Sequence, residues 1–457
     1  MKGSARGSAV SSSLPRVVAA SLIGTTIEWY DYFLYGTAAA LVFGKLFFPN
    51  TDPLTGTLLS FLTYAIGFAA RPVGALVFGH FGDRVGRKKL LVVSLLLMGG
   101  STTAIGLLPT YDSVGVAAPV LLTALRLVQG FALGGEWGGA VLLVSEHGDQ
   151  RRRGFWASWP QGGAPAGNLL AAGVLSLMTA VQSESAFLAW GWRVPFLLSA
   201  VLVGVGMWIR LAVDESPLFR RALAARQGRT EEKPPLVGVL RHHWREVLVA
   251  MGARMAENIS YYVMTTFVLT YAVTHAHFDK QSALNAVLIA SAIQFALIPL
   301  FGALSDRVGR KPVYLVGAAG VGVWAFVFFG MVDTGSFGAL VLAVSVGLVF
   351  HSAMYAPQAA FFSELFATRM RYSGASIGAQ FASVAAGAPA PLIATALLKD
   401  YGSATPISVY VAIAAALTVL AVLCGRETRG QDLAEVEERS AEGQPVDGGA
   451  VGKPAVT

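Results

Sequence analysis

GHFGDRVGRKK, residues 79–89, and GALSDRVGRKP, residues 302–312, are two copies of one charged turn set in an otherwise apolar chain. Each copy follows one apolar run and precedes another, and Asp83 and Asp306 lie about half a chain apart. Two further echoes keep similar spacing. Ser145 and Glu146, followed by Arg151 to Arg153, pair with Ser363 and Glu364, followed by Arg369 and Arg371. Glu28 and its aromatic neighbours pair more weakly with Glu257, Tyr261 and Tyr262. Three landmarks recurring in the same order imply two related halves.

The composition says where such halves reside. Of 457 residues, 54% are hydrophobic and 13% charged, with a mean hydropathy of +0.58. An average soluble domain carries about 25% charged residues. Repeated apolar stretches approach the roughly 20 residues needed to cross a bilayer. The expected fold is therefore an all-α polytopic membrane protein of twelve transmembrane helices in two pseudo-symmetric six-helix halves. The expected divisions are an N-terminal tail 1–16, a first bundle 17–213, a linker 214–246, a second bundle 247–424 and a disordered tail 425–457.

Most of the 34 Lys and Arg fall in the tails, the linker and the loops after helices 2, 4, 8 and 10. Lys45, Arg193, Lys280 and Lys399 mark the other face, and Arg71, Arg126 and Arg254 lie within spans. Positive charge concentrates on the cytoplasmic side, so both termini are expected there, in a multi-pass protein of the plasma membrane. The pI near 9.5 is then a topology signal, and no nucleic-acid partner is expected. The first apolar run lacks a small-residue cleavage site and reads as a retained helix. Cys424, the single cysteine, excludes an intramolecular disulfide framework.

At this point a resemblance appears. The two DRVGRK loops and RLVQGFALG, residues 126–134, resemble the loop and RxxxGxxxG signatures of the major facilitator superfamily. EWYDYFLYG (28–36), QGFALGGEWGGA (129–140) and LAWGWRVPF (188–196) resemble its metabolite:proton symporter family. The likeness covers roughly residues 15–425 and implies alternating access with proton-coupled uptake, usually by a monomer. Family substrates include shikimate, α-ketoglutarate, citrate, proline and glycine betaine. RMAENISYY (254–262) and the stretch 355–384 look more like shikimate-type members. The tail after Gly425 lacks the sustained heptads carried by some osmosensing members.

Ionisable side chains inside a span are costly and mark candidate sites. Glu28 and Asp31, three residues apart, share a helix face, which Tyr32 and Tyr35 continue. Two nearby carboxylates resist double ionisation, so one can carry a proton; fixed packing against arginines is the other reading. Glu136 and Glu257 complete the proton-coupling candidates. Arg126 can grip a carboxylate in two places and is the first substrate-binding candidate, joined by Tyr32, Tyr35, Arg254 and Tyr261. Gly130, Gly134 and Gly138 follow Arg126 at four-residue spacing and permit close helix approach. Arg254 and Glu257 are spaced to pair, permanently or only in part of a cycle. His351 titrates near neutrality or simply accepts a hydrogen bond. Asp83, Arg84 and Arg87, with Asp306, Arg307 and Arg310, are candidates for a cytoplasmic gate.

These residues point to a secondary transporter importing a proton with a small organic acid such as shikimate. A proton symporter for osmolytes is the alternative. Export by antiport is disfavoured, because PQGGAPAGNLLAAG (160–173) departs from the GPxxGG antiporter pattern. No HExxH, Walker loop, nucleophile elbow or metal-ligand cluster appears, so neither an enzyme nor a cofactor is expected.

Overall fold

The structure is a computed structural model that describes residues 14–75, 77–78, 87–134, 150–212, 244–365, 381–387 and 389–430. Its first six spans contain α1 (Leu14–Ala38), α2 (Pro53–Ala69), α3 (Arg87–Gly106), α4 (Ala117–Leu133), α5 (Arg153–Val181) and α6 (Arg193–Ala212). The remainder contain α7 (Trp244–Tyr262), α8 (Lys280–Val308), α9 (Arg310–Val332), α10 (Phe337–Leu365), α11 (Ala390–Tyr401) and α12 (Thr405–Cys424). Helix α2 runs on to Ala75 as an apolar span. Helices α1 and α7 already run at Leu14 and Trp244, slightly before the expected 17 and 247. Apolarity marks the part that crosses hydrocarbon, whereas backbone hydrogen bonding continues into the polar interface.

Local sequence explains several boundaries. Asp52 caps α2 by accepting from the Thr55 amide at 3.0 Å, with Pro53 at the first helical position. Asp279 caps α8 through the Ser282 amide at 2.8 Å. The turn from α8 to α9 is one residue, Gly309, whose φ of 109° suits a residue without a side chain. Both α1 and α7 continue into a π-helical segment, Ala39–Phe43 and Val263–Phe267, a shared irregularity of repeat-related helices.

Six described helices are long and apolar enough to cross a membrane, and a seventh counts if the 43° bend between Glu184–Gly191 and Arg193–Ile209 lies within one span. Helices α1 and α7 fall outside that group; they carry buried acids and tyrosines, which lower hydropathy. Outward faces present large apolar side chains such as Leu300, Val316, Val323 and Leu420, as a lipid-facing surface requires.

The repeat reappears in the packing. In the first half α1 packs on α5 and α6, α3 on α4 and α6, and α2 on α4. In the second, α7 packs on α11 and α12, α9 on α10 and α12, and α8 on α10, each pair six helices further on. Across the halves, α5 meets α8 and α2 meets α11, which are themselves repeat-related contacts; α5 also meets α10.

Candidate functional site

Two buried polar clusters lie at the centre. The first belongs to α1, α2 and α4. A Cβ on Gly130 would stand 1.7 Å from the Gly67 carbonyl oxygen, so only glycine allows α2 and α4 to touch backbone to backbone. Gly67 also makes room for Arg126, whose Nε would lie 2.7 Å from a Cβ there. Arg126 is 2% exposed; its guanidinium carbon sits 4.4 Å from the centre of the Tyr35 ring, 4.5 Å from Tyr64 and 4.8 Å from Tyr32. Its Nη1 donates to Gln129 Oε1 at 3.0 Å, and Gln129 donates to Thr102 at 2.7 Å. Arg71, 4% exposed, stacks on Phe68 and Tyr32 at 4.1 and 4.5 Å.

The second cluster belongs to α7, α8 and α10. Arg254 Nε is 3.4 Å from Glu257 Oε2, the pairing that their three-residue spacing predicts. That oxygen also accepts from Asn258 at 3.0 Å and Gln358 at 3.2 Å. His351 Nε2 stands 3.5 Å from Glu257 Oε1, while its Nδ1 lies 2.7 Å from Gln294 Nε2. Gln294 thus occupies one ring nitrogen of His351, and Glu257 faces the other. A small cavity opens here between the halves, walled by Trp29 and Phe33 of α1 and by Glu257, Tyr261, His351 and Tyr355. The Tyr261 ring stacks against His351, with centroids 4.7 Å apart.

The shared face expected on α1 splits. Tyr32 and Tyr35 turn to the arginines, but Asp31 takes the far edge, where Ser199 of α6 donates to it at 2.5 Å and Thr102 of α3 faces it. Neighbouring side chains on a helical arc some 100° wide meet different partner helices. Glu28 is buried nearby. The alternative reading gave the intramembrane arginines a carboxylate to pack against. Only Arg254 takes one, since among the described residues neither Arg71 nor Arg126 is paired with a carboxylate.

On the face where α1 begins and α12 ends, here the terminal face, Asp306 and Arg310 sit between the halves. Asp306 accepts from the backbone amides of Gly154 and Phe155, the start of α5, at 2.8 and 2.9 Å. Arg310 binds Asp306 at 2.7 Å and Glu364 at 3.1 Å, and Glu364 also holds Arg153 at 2.9 Å. Arg307 instead points outward, exposed, without an ion pair among the described residues. Residues Asp83, Arg84 and Glu136, the side chain of Arg87 and most of the linker lie outside the described residues. Sequence reading passed over Arg153–Glu364 and the amides Gln129, Gln294 and Gln358. Arg153 and Glu364 were visible in the second echo; a glutamine inside an apolar run gives no comparable signal.

Among solved structures, the proton:xylose symporter XylE bound to 6-bromo-6-deoxy-D-glucose matches with a TM-score of 0.72 at 18% identity, over 93% of this chain and 98% of that one. The fold is the twelve-helix major facilitator fold, and the molecule is a membrane transporter, not an enzyme. The sugar (and other) transporter family profile matches residues 17–439, and the chain belongs to that family. The inner membrane metabolite transport protein YhjE of Escherichia coli (strain K12) is 40% identical over 427 residues, 92% of this chain and 96% of that protein. The shikimate transporter of the same strain is 36% identical over 416 residues, 91% of this chain and 95% of that protein.

Proposed function

We propose that this chain is a proton-coupled symporter that imports a small organic acid, of the class of shikimate or a related monocarboxylate, by alternating access. The observation that carries the reading is Glu257: an acid buried at the cavity between the halves, held by Arg254 and faced by His351. Such an acid changes its partners when it takes a proton, because a neutral carboxyl no longer needs a guanidinium. Substrate binding and halves closing then become linked to one protonation event.

Arg126 anchors the acid, and Tyr261 lines its path. Asp31 is the second proton candidate, since Thr102 and Gln129 connect its surroundings to Arg126. The halves, 17–213 and 247–424, rock about α5–α8 and α2–α11, and Asp306 and Arg310 close the terminal face. That face is cytoplasmic by its positive charge, and the protein acts as a monomer without nucleic acid. The name of the shikimate transporter supports the substrate class.

The test is uptake of labelled shikimate and glycine betaine into vesicles, with and without an inward proton gradient. Gradient-driven accumulation of shikimate is expected. Glu257→Gln should abolish accumulation while retaining exchange of labelled for unlabelled acid. Betaine accumulation alone moves the assignment to osmolytes; gradient-independent uptake removes proton coupling.

A further inference from the structure

We propose that Arg71 and Arg126 together form one anion subsite, which takes the carboxylate of the transported acid behind a partition made by Tyr32 and Tyr262. The identity of the acid rests on the transport reading above, but the subsite rests on its own geometry.

A buried guanidinium usually lies against a carboxylate, because the charge must be repaid in hydrogen bonds. Here two converge on a single ring: their guanidinium carbons are 4.5 and 4.8 Å from the centre of Tyr32. Neither has a carboxylate among the described residues. Nε and Nη2 of Arg71, and Nε and Nη2 of Arg126, are buried without hydrogen-bond partners, and the hydroxyls of Tyr32 and Tyr64 lie beside each other. All of these donors belong to one cage.

Stacking explains how the cage holds two like charges and remains open to a third group. An aromatic face attracts a guanidinium through its plane, which leaves the N–H edge available for an in-plane bond. A carboxylate is the complementary shape, planar and able to accept two parallel bonds from one fork while its outer lone pairs accept from the other. Its charge would also relieve the repulsion between the arginines.

The cage is one aromatic layer from the central cavity. Tyr262 lines that cavity, and its ring packs 6.2 Å from Tyr32, 6.2 Å from Tyr64 and 5.9 Å from Phe68. Displacing Tyr32 and Tyr262 joins the two spaces. The acid then reaches the arginines with its carboxylate while its remaining polar groups face Glu257, Asn258 and Tyr261.

The test is thermal unfolding of the purified full chain with graded shikimate or its uncharged methyl ester, in one chloride buffer, for wild type, Arg71→Met and Arg71→Lys. Shikimate should raise the melting temperature of the wild type and the ester should not. Arg71→Met should melt close to wild type without ligand, because the lost stacking on Tyr32 and Phe68 is offset by removing a buried charge that has no carboxylate, and should need at least tenfold more shikimate for half the shift. Arg71→Lys should fall between, because an ammonium keeps the charge and loses the fork. The proposal is overturned by an unchanged dose in Arg71→Met, by an equally effective ester, by marked destabilisation of ligand-free Arg71→Met, or by a wild type that shikimate, lactate, 2-oxoglutarate and citrate all fail to stabilise. Uptake separates the two readings: a wild type that is stabilised but accumulates nothing fails as a symporter and keeps its subsite.

Discussion

The two faces of the molecule tie the same halves together with the same kind of bond in opposite surroundings. On the terminal face Arg153 meets Glu364 with side chains 2% and 0% exposed, and Glu364 further accepts from Arg310 and from Thr428 at 2.7 Å. On the opposite face Glu184, 63% exposed, bridges Lys45 at 3.0 Å and Lys280 at 2.9 Å. Lys399 reaches Asp52 at 3.7 Å and also donates to Thr55. Buried, the network has already lost its water, and every oxygen of Glu364 is engaged by protein. Removing one partner strands charge in a dry place and costs about 3–5 kcal/mol. Exposed pairs exchange with water and salt, and each contributes about 0–1 kcal/mol. Among the described residues, then, closure of the terminal face is strongly held and closure of the opposite face is lightly held.

The sharpest break is Glu364→Gln, which leaves Arg153 and Arg310 without their shared anion. In a Cys424→Ser background, a cysteine replacing the buried Ser158 should then react with a maleimide at least tenfold faster, and uptake should fall at least tenfold. Unchanged labelling would show that this network does not close the face. Asp306→Asn comes next. It keeps one carbonyl oxygen for the α5 amides but loses the charge that meets Arg310 and the start of α5, worth about 1–3 kcal/mol. Its labelling rate should lie between wild type and Glu364→Gln.

Glu184→Gln is the smallest: opposite-face labelling should rise less than about fivefold, corresponding to under about 1 kcal/mol, and high salt should erase the difference. Acid gives a further check. The ammonium groups of Lys280 and then Lys45 hold the Glu184 carboxyl down at about 2. A lowered value means that the tie is complete above the ordinary carboxylate range and is lost only as pH falls toward about 2. The ratio of opposite-face labelling in Glu184→Gln to that in wild type, in which the thiol's own ionisation cancels, should therefore be flat between about pH 5 and 8. A slope there would remove Glu184 as the tie.

Much of this was legible beforehand where charge interrupts apolarity. Arg126, Arg254 and Glu257 stand out in spans, and the three-residue spacing of the last two predicts their contact. Asp306 and Arg310 were marked by a repeated turn. Arg153 resisted reading because a basic residue at a span end already satisfies topology, and nothing local indicates that it is buried against Glu364. His351 carried two meanings in the sequence, and the fold places Gln294 and Glu257 at its two nitrogens. Asp31 misled, because 3.6-residue periodicity gives an angle around a helix axis and not the neighbour that waits there.

The sequence by itself determined the number of spans, the internal repeat and the residues that must find polar partners, because each follows from the cost of placing backbone or charge in hydrocarbon, a cost paid locally. Which partner each found was decided only by tertiary structure. Asp31 turned to Ser199, Arg126 and Arg71 gathered on Tyr32, and Asp306 crossed to the start of α5. Those choices depend on helix rotation and on glycine contacts such as Gly67 with Gly130, where separations of a few ångströms decide whether two groups meet.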